Sequence, residues 1–135
     1  MAPIISGVYE GNLRTNVQHL RSGNSVVTDA PTDNNGKGEA FSPTDLVCAS
    51  LGSCMMTLMG MYAQRESISL EGMQWSIVKI MGASPRKIAG VHITFTKTDL
   101  NATEAQKQKL QRAALTCPVA LSLNESIKQE VIFNF

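Results

Sequence analysis

From Leu46 to Gln64 the chain reads LVCASLGSCMMTLMGMYAQ and carries no charged side chain. This run constrains the fold more than any other feature. It follows Phe41-Ser42-Pro43-Thr44-Asp45, a helix-start signature. Ser42 suits the N-cap, Pro43 the first helical position, and Asp45 stands three residues after the cap. A helix that is apolar all round belongs inside a protein or inside a membrane. A span wants ~20 strongly apolar residues. Ser50, Ser53, Thr57 and two glycines dilute this run, and amphipathic strand patterns flank it. The expectation is a buried core helix in a protein with no membrane association.

The flanks read as strands. Residues 4–11 form a first strand anchored by Ile5, Val8 and Tyr9, and residues 13–20 alternate as a second. Ser22-Gly23-Asn24 reads as a tight turn into a short strand over 25–28. Residues 29–40 (DAPTDNNGKGEA) are a polar loop without periodicity, either a connector or a lid beside the helix. Downstream, Met73, Trp75 and Ile77 alternate with polar residues, 82–87 is a hairpin loop, and Val91, Ile93 and Phe95 mark the next strand. That alternation places His92 on the polar face; His92 and His19 both read as solvent-facing, not as ligands. Thr103 and Gln106 form a capping box opening a helix through Ala114, with Leu110, Ala113 and Ala114 as its apolar stripe. Pro118 disfavours helical geometry at Cys117, so that cysteine falls at a break before a short helix over 119–123. Val131, Phe133 and Phe135 close the chain as a strand. Strands, long helix, strands, helices and strand in that order predict an α+β fold, as one domain over residues 1–135.

Composition narrows the function classes. The net charge is +1, aromatics are 5% and no basic run occurs, so no nucleic acid is expected as a partner. A charged fraction of 17% is low enough to suggest surface buried against another subunit. The N-terminal residues lack the basic and long apolar regions of a signal peptide. Three cysteines without a CxxC pair suit a reducing compartment, so a cytoplasmic location is expected.

The cysteines hold the candidate chemistry. Cys48 and Cys54 are too far apart in the run to be paired zinc ligands, and at ~100° per residue they point ~120° apart around a helix. No metal site is expected. Cys48 reads as a small buried hydrophobe. Cys54 shares a face with Val47, Leu51, Leu58 and Met61, and on composition alone it too favours packing over reactivity. A reactive thiol needs a nearby cation or helix N-terminus, which mid-helix apolar surroundings do not supply. Cys117 sits where a short helix begins, a position that favours a thiolate. A buried thiol and one at a helix start can act as an attacking and a resolving pair, although spacing alone does not bring them together.

Ser42-Pro43-Thr44-Asp45-Leu46, then Leu51-Gly52-Ser53-Cys54, then Cys117-Pro118-Val119 far downstream resemble the OsmC/Ohr family, the osmotically induced and organic hydroperoxide resistance proteins. The resemblance spans nearly the whole chain. It implies an intertwined homodimer whose antiparallel sheets wrap around two long central helices. It also implies a cysteine peroxidase that reduces organic hydroperoxides, with a cellular dithiol as reductant and no cofactor. By that resemblance Cys54 matches the attacking cysteine and Cys117 the resolving one. An Arg from the N-terminal strands holds the thiolate in the family; Arg14 falls at the expected place, with Arg21 as a competitor.

The sequence departs from the family at one position. Where the family carries a Glu early in the helix to orient that Arg, this chain has Thr44, with Asp45 next to it and already suited to a capping role. The departure resembles the less characterised OsmC-like branch. It keeps an alternative open: a non-catalytic dimer that binds an apolar small molecule in the methionine-rich cleft around Cys54.

Overall fold

The structure is a computed structural model that describes residues 1–135. Its contacts group the chain into two units, Met1–Val47 and Cys48–Phe135.

The first unit is an antiparallel meander of β1 (Ile5–Gly11), β2 (Arg14–His19) and β3 (Ser25–Asp29). Gly11, Asn12 and Leu13 make the first turn with positive φ angles of 84°, 54° and 62°. The second turn closes at His19, whose N–H donates to the Asn24 carbonyl at 2.8 Å. That closure sets the β2–β3 register and places Arg14 directly opposite Asp29. The 30–40 segment is tied to itself by backbone bonds from Gly36 to Pro31 (3.0 Å) and from Gly38 to Ala30 (3.1 Å). Gly36 is required there, because a Cβ would stand 1.7 Å from the Ala30 carbonyl oxygen. These bonds tie the segment to itself.

α1 (Pro43–Arg65) begins as the sequence indicates. The Asp45 N–H donates to Ser42 Oγ at 3.1 Å, and the Ser42 N–H donates to Asp45 Oδ2 at 3.0 Å. This is a capping box with Asp in the role usually taken by Glu or Gln. Cys48, Leu51, Met55, Met59 and Ala63 recur every three or four residues as its buried stripe. The helix is long and apolar enough to cross a membrane by length and composition, features that the core helix of a soluble protein shares.

In the second unit β4 (Gln74–Gly82) and β5 (Lys87–Thr96) form an antiparallel hairpin. Val91, Ile93 and Phe95 are buried as their alternation requires. His92 lies on the polar side and pairs with Glu130 at 3.1 Å. α2 (Glu104–Leu115) opens with the expected box: the Gln106 N–H reaches Thr103 Oγ1 at 3.1 Å and the Thr103 N–H reaches Gln106 Oε1 at 3.0 Å. Leu110 and Ala114 bury its apolar stripe, and α3 (Pro118–Ser122) follows.

β6 (Lys128–Asn134) then pairs with β5 in parallel, a departure from the antiparallel expectation. The α2–α3 crossover between them is long enough to carry the chain back to the starting end of β5, as a parallel pairing needs. Trp75, Phe95 and Phe133 align across the three strands, with ring centroids 6.2 and 5.8 Å apart. At Gly52, α1 lies close against this aromatic row. A Cβ on Gly52 would lie 2.7 Å from Trp75 Nε1 and 2.9 Å from Ile77 Cδ1. An α+β arrangement of strands and helices results, as the sequence order implied.

Candidate active site

Two of the three cysteines meet. The side chain of Cys54, half-buried on α1, neighbours and interacts with that of Cys117, which has no exposed surface. Both belong to the second unit. All three cysteines are free thiols, and Cys48 is buried elsewhere on α1.

The local sequence explains how Cys117 is held. Pro118 occupies the first position of α3 and keeps Cys117 extended, with φ −68° and ψ 150°. Cys117 is therefore the N-cap, and its Sγ accepts the Ala120 N–H at 3.3 Å. Burial pushes the Cys117 thiol up from its ordinary value; the hydrogen bond to Cys54 and the charge of an ionised Cys54 push the same way. The N–H groups of Ala120 and Val119 act in the opposite sense. Burial, the largest cause, therefore favours the protonated form of Cys117 beside Cys54. The helix-start position alone suggested a favoured thiolate at Cys117; the structure corrects this, because loss of solvent outweighs the few N–H groups of a short helix.

In the first unit Arg14 opens β2 and Asp29 ends β3. Arg14 Nε and Nη2 donate to Asp29 Oδ1 and Oδ2, each at 2.7 Å, a bidentate pair. Asp29 is 1% exposed and Arg14 30%. The Glu39 N–H also donates to Asp29 Oδ2 at 3.1 Å. The Arg14 hydrogen bonds hold the Asp29 carboxyl below the usual carboxylate range against the opposing effect of burial, with the Arg14 charge and the Glu39 N–H contributing further. The same hydrogen bonds push the Arg14 guanidinium up. Arg21 sits exposed in the turn after β2. Thr44 lies in the first turn of α1, with its Oγ1 3.2 Å from Ser42 Oγ.

Sequence reasoning missed Asp29. It reads as the first residue of a polar loop if the preceding turn is centred on Gly23. The closure at His19 and Asn24 shifts that centre toward Arg21 and Ser22. The signal available was the turn register, which decides every partner of β2.

The fold and site define an α+β protein with two neighbouring thiols, one half-buried and one fully enclosed. The OsmC-like protein family model matches residues 36–131, and the chain belongs to that family. A crystal structure from Psychrobacter arcticus 273-4, provisionally described as an osmotic stress induced and detoxification response protein, is 42% identical. It superposes with a TM-score of 0.95, covering 99% of this chain and 97% of that one. An organic hydroperoxide resistance protein OsmC from Legionella pneumophila shares the fold at 18% identity and a TM-score of 0.72, covering 100% and 98% of the two chains. An OsmC-like protein of unknown function from Vibrio cholerae does so at 16% identity and 0.76, covering 95% and 97%. No match was found among curated proteins.

Proposed function

We propose that this protein is a cytoplasmic, homodimeric thiol peroxidase that reduces organic hydroperoxides as part of a stress response, the whole chain acting as one OsmC-like domain. The observation that carries this reading is that the fold brings the Cys54 and Cys117 side chains together. Family membership and the name of the Legionella pneumophila neighbour support the redox and stress theme. Apolar side chains exposed on this chain, among them Val8, Tyr9, Met61 and Val78, support a second copy as a partner.

In this mechanism the Cys54 thiolate attacks the distal oxygen of the hydroperoxide. The O–O bond breaks, an S–O bond forms, and the alkoxide leaves as an alcohol after taking up a proton. Cys54 is oxidised to a sulfenic acid. Cys117 sulfur then attacks the Cys54 sulfur, water leaves carrying the sulfenic oxygen, and a Cys54–Cys117 disulfide forms. A cellular dithiol reduces that disulfide by two exchange steps and becomes a disulfide itself. No metal or organic cofactor takes part. Arg14 is the cation assigned to the Cys54 thiolate, on the strength of the family resemblance.

Reduced protein mixed with one equivalent of cumene hydroperoxide, and separately with hydrogen peroxide, tests the reading. Mass analysis is expected to show loss of two thiols and a Cys54–Cys117 linkage, faster with the organic peroxide. Three intact thiols would overturn it in favour of the non-catalytic apolar-ligand dimer.

A further inference from the structure

Asp29 is a buried acid that the proposed peroxide chemistry leaves without a task. A carboxylate with 1% exposure is costly to bury unless its charge is paired and hydrogen-bonded. Here both oxygens are engaged by Arg14, and one of them also by the Glu39 N–H. The pairing uses the Nε–Nη2 edge of the guanidinium and leaves the Nη1 amine outside the pair. Two short, parallel bonds fix the plane of the guanidinium, which a single contact or a lysine would not do. The register supports the arrangement, since Arg14 and Asp29 are direct cross-strand partners. Asp29 is itself held at its backbone, where its N–H donates to the Phe41 carbonyl at 3.0 Å.

We propose that Asp29 is the positioning residue of Arg14, supplying from β3 the orienting carboxylate expected early in α1, where Thr44 stands instead. This rests on the reading that Arg14 serves the Cys54 thiolate. The Thr44 departure therefore does not leave the arginine without an acid. The acid has moved from the helix to the neighbouring strand, and Asp45 serves the cap. Its consequence is a guanidinium with a fixed direction before any peroxide arrives, so that no ordering is required when charge develops at the sulfur.

The test measures the rate of Cys54 oxidation by cumene hydroperoxide, per folded molecule, in the full chain. Variants are Arg14→Ala, Asp29→Asn, Asp29→Glu and the double change Arg14→Ala with Asp29→Asn. A misplacement of about 1 Å can cost ~100-fold in rate. Asp29→Asn is accordingly expected to fall about 100-fold, and Asp29→Glu, with the charge restored on a longer arm, to recover to within about tenfold of the parent. The double variant is expected to be no slower than Arg14→Ala, because Asp29 acts only through Arg14. Independent, multiplying losses would instead indicate a general structural role and overturn the proposal. So would a parent-like rate in Asp29→Asn while Arg14→Ala is slow. If Asp29→Asn does not fold, Asp29→Glu decides: a rate as low as that of Arg14→Ala, despite the restored carboxylate, overturns the proposal. A parent that oxidises normally while Arg14→Ala is unimpaired would remove the role of Arg14, and this inference with it, but leave the peroxidase reading standing. A parent that keeps all its thiols would overturn both.

Discussion

Cys54 on the long core helix and Cys117 at the cap of a short one are neighbours whose side chains interact. The two sulfurs differ in setting. Cys54 is partly open to solvent, whereas Cys117 is fully enclosed and burial pushes its thiol up.

This asymmetry predicts different fates for the two variants. Cys54→Ser is expected to abolish peroxide consumption. Cys117→Ser keeps an N-cap acceptor for the Ala120 N–H, so the fold should be retained. Peroxide should then drive Cys54 only to the sulfenic acid, trapped by dimedone as a single adduct. Disulfide formation with Cys48 in that variant would show that the assignment of Cys117 is wrong.

Cys48 is expected to be dispensable for turnover. It is 3% exposed and belongs to the buried stripe of α1. Cys48→Ala should cost about 1 kcal/mol through lost packing and leave the oxidation rate unchanged. A tenfold loss of rate in a well-folded variant would contradict this.

Gly52→Ala pits helix propensity against packing. Alanine gains about 1 kcal/mol over glycine in a helix interior. The added Cβ would stand 2.7 Å from Trp75 Nε1 and 2.9 Å from Ile77 Cδ1, and overpacking costs about 1–3 kcal/mol. The indole is 40% exposed and packs on Phe95 on one side, so it can yield only away from that ring. Net destabilisation of about 1 kcal/mol is expected in urea unfolding, together with a shift in the fluorescence of the single tryptophan. A stabilised variant would show that α1 and β4 are less tightly packed than described.

The thiol of Cys117 also predicts an alkaline limit. Its folded value is raised above the ordinary 9.0, so its contribution to stability is complete below pH 9.0 and lost as pH rises through the raised value. Asp29 behaves in the opposite sense. Its folded value is depressed, so its contribution is present above the ordinary 3.8 and lost as pH falls through the folded value. Melting temperatures recorded under reducing conditions should decline at both ends. Cys117→Ser should flatten the alkaline decline and leave the acid one, and Asp29→Asn the reverse.

What the sequence determined by itself was local. The Ser42–Asp45 cap, the Thr103–Gln106 box, the break before Pro118 and the alternation of Val91, Ile93 and Phe95 all depend on neighbours a few residues apart. Those neighbours dictate backbone geometry wherever the chain runs. The motif around Cys54 and Cys117 named the family, and the α+β order of elements followed from periodicity. Three things were decided only in three dimensions. The return through α2 and α3 set β6 parallel to β5, which no local pattern specifies. The meeting of Cys54 and Cys117 required helix and crossover to converge, and the burial that came with it reversed the expectation for Cys117. The partner of Arg14 hinged on the register of one hairpin, where moving the turn centre by a residue or two replaces Asp29 with another side chain. Side-chain chemistry between residues far apart in sequence depends on distances of a few ångströms, and only the packed chain fixes those.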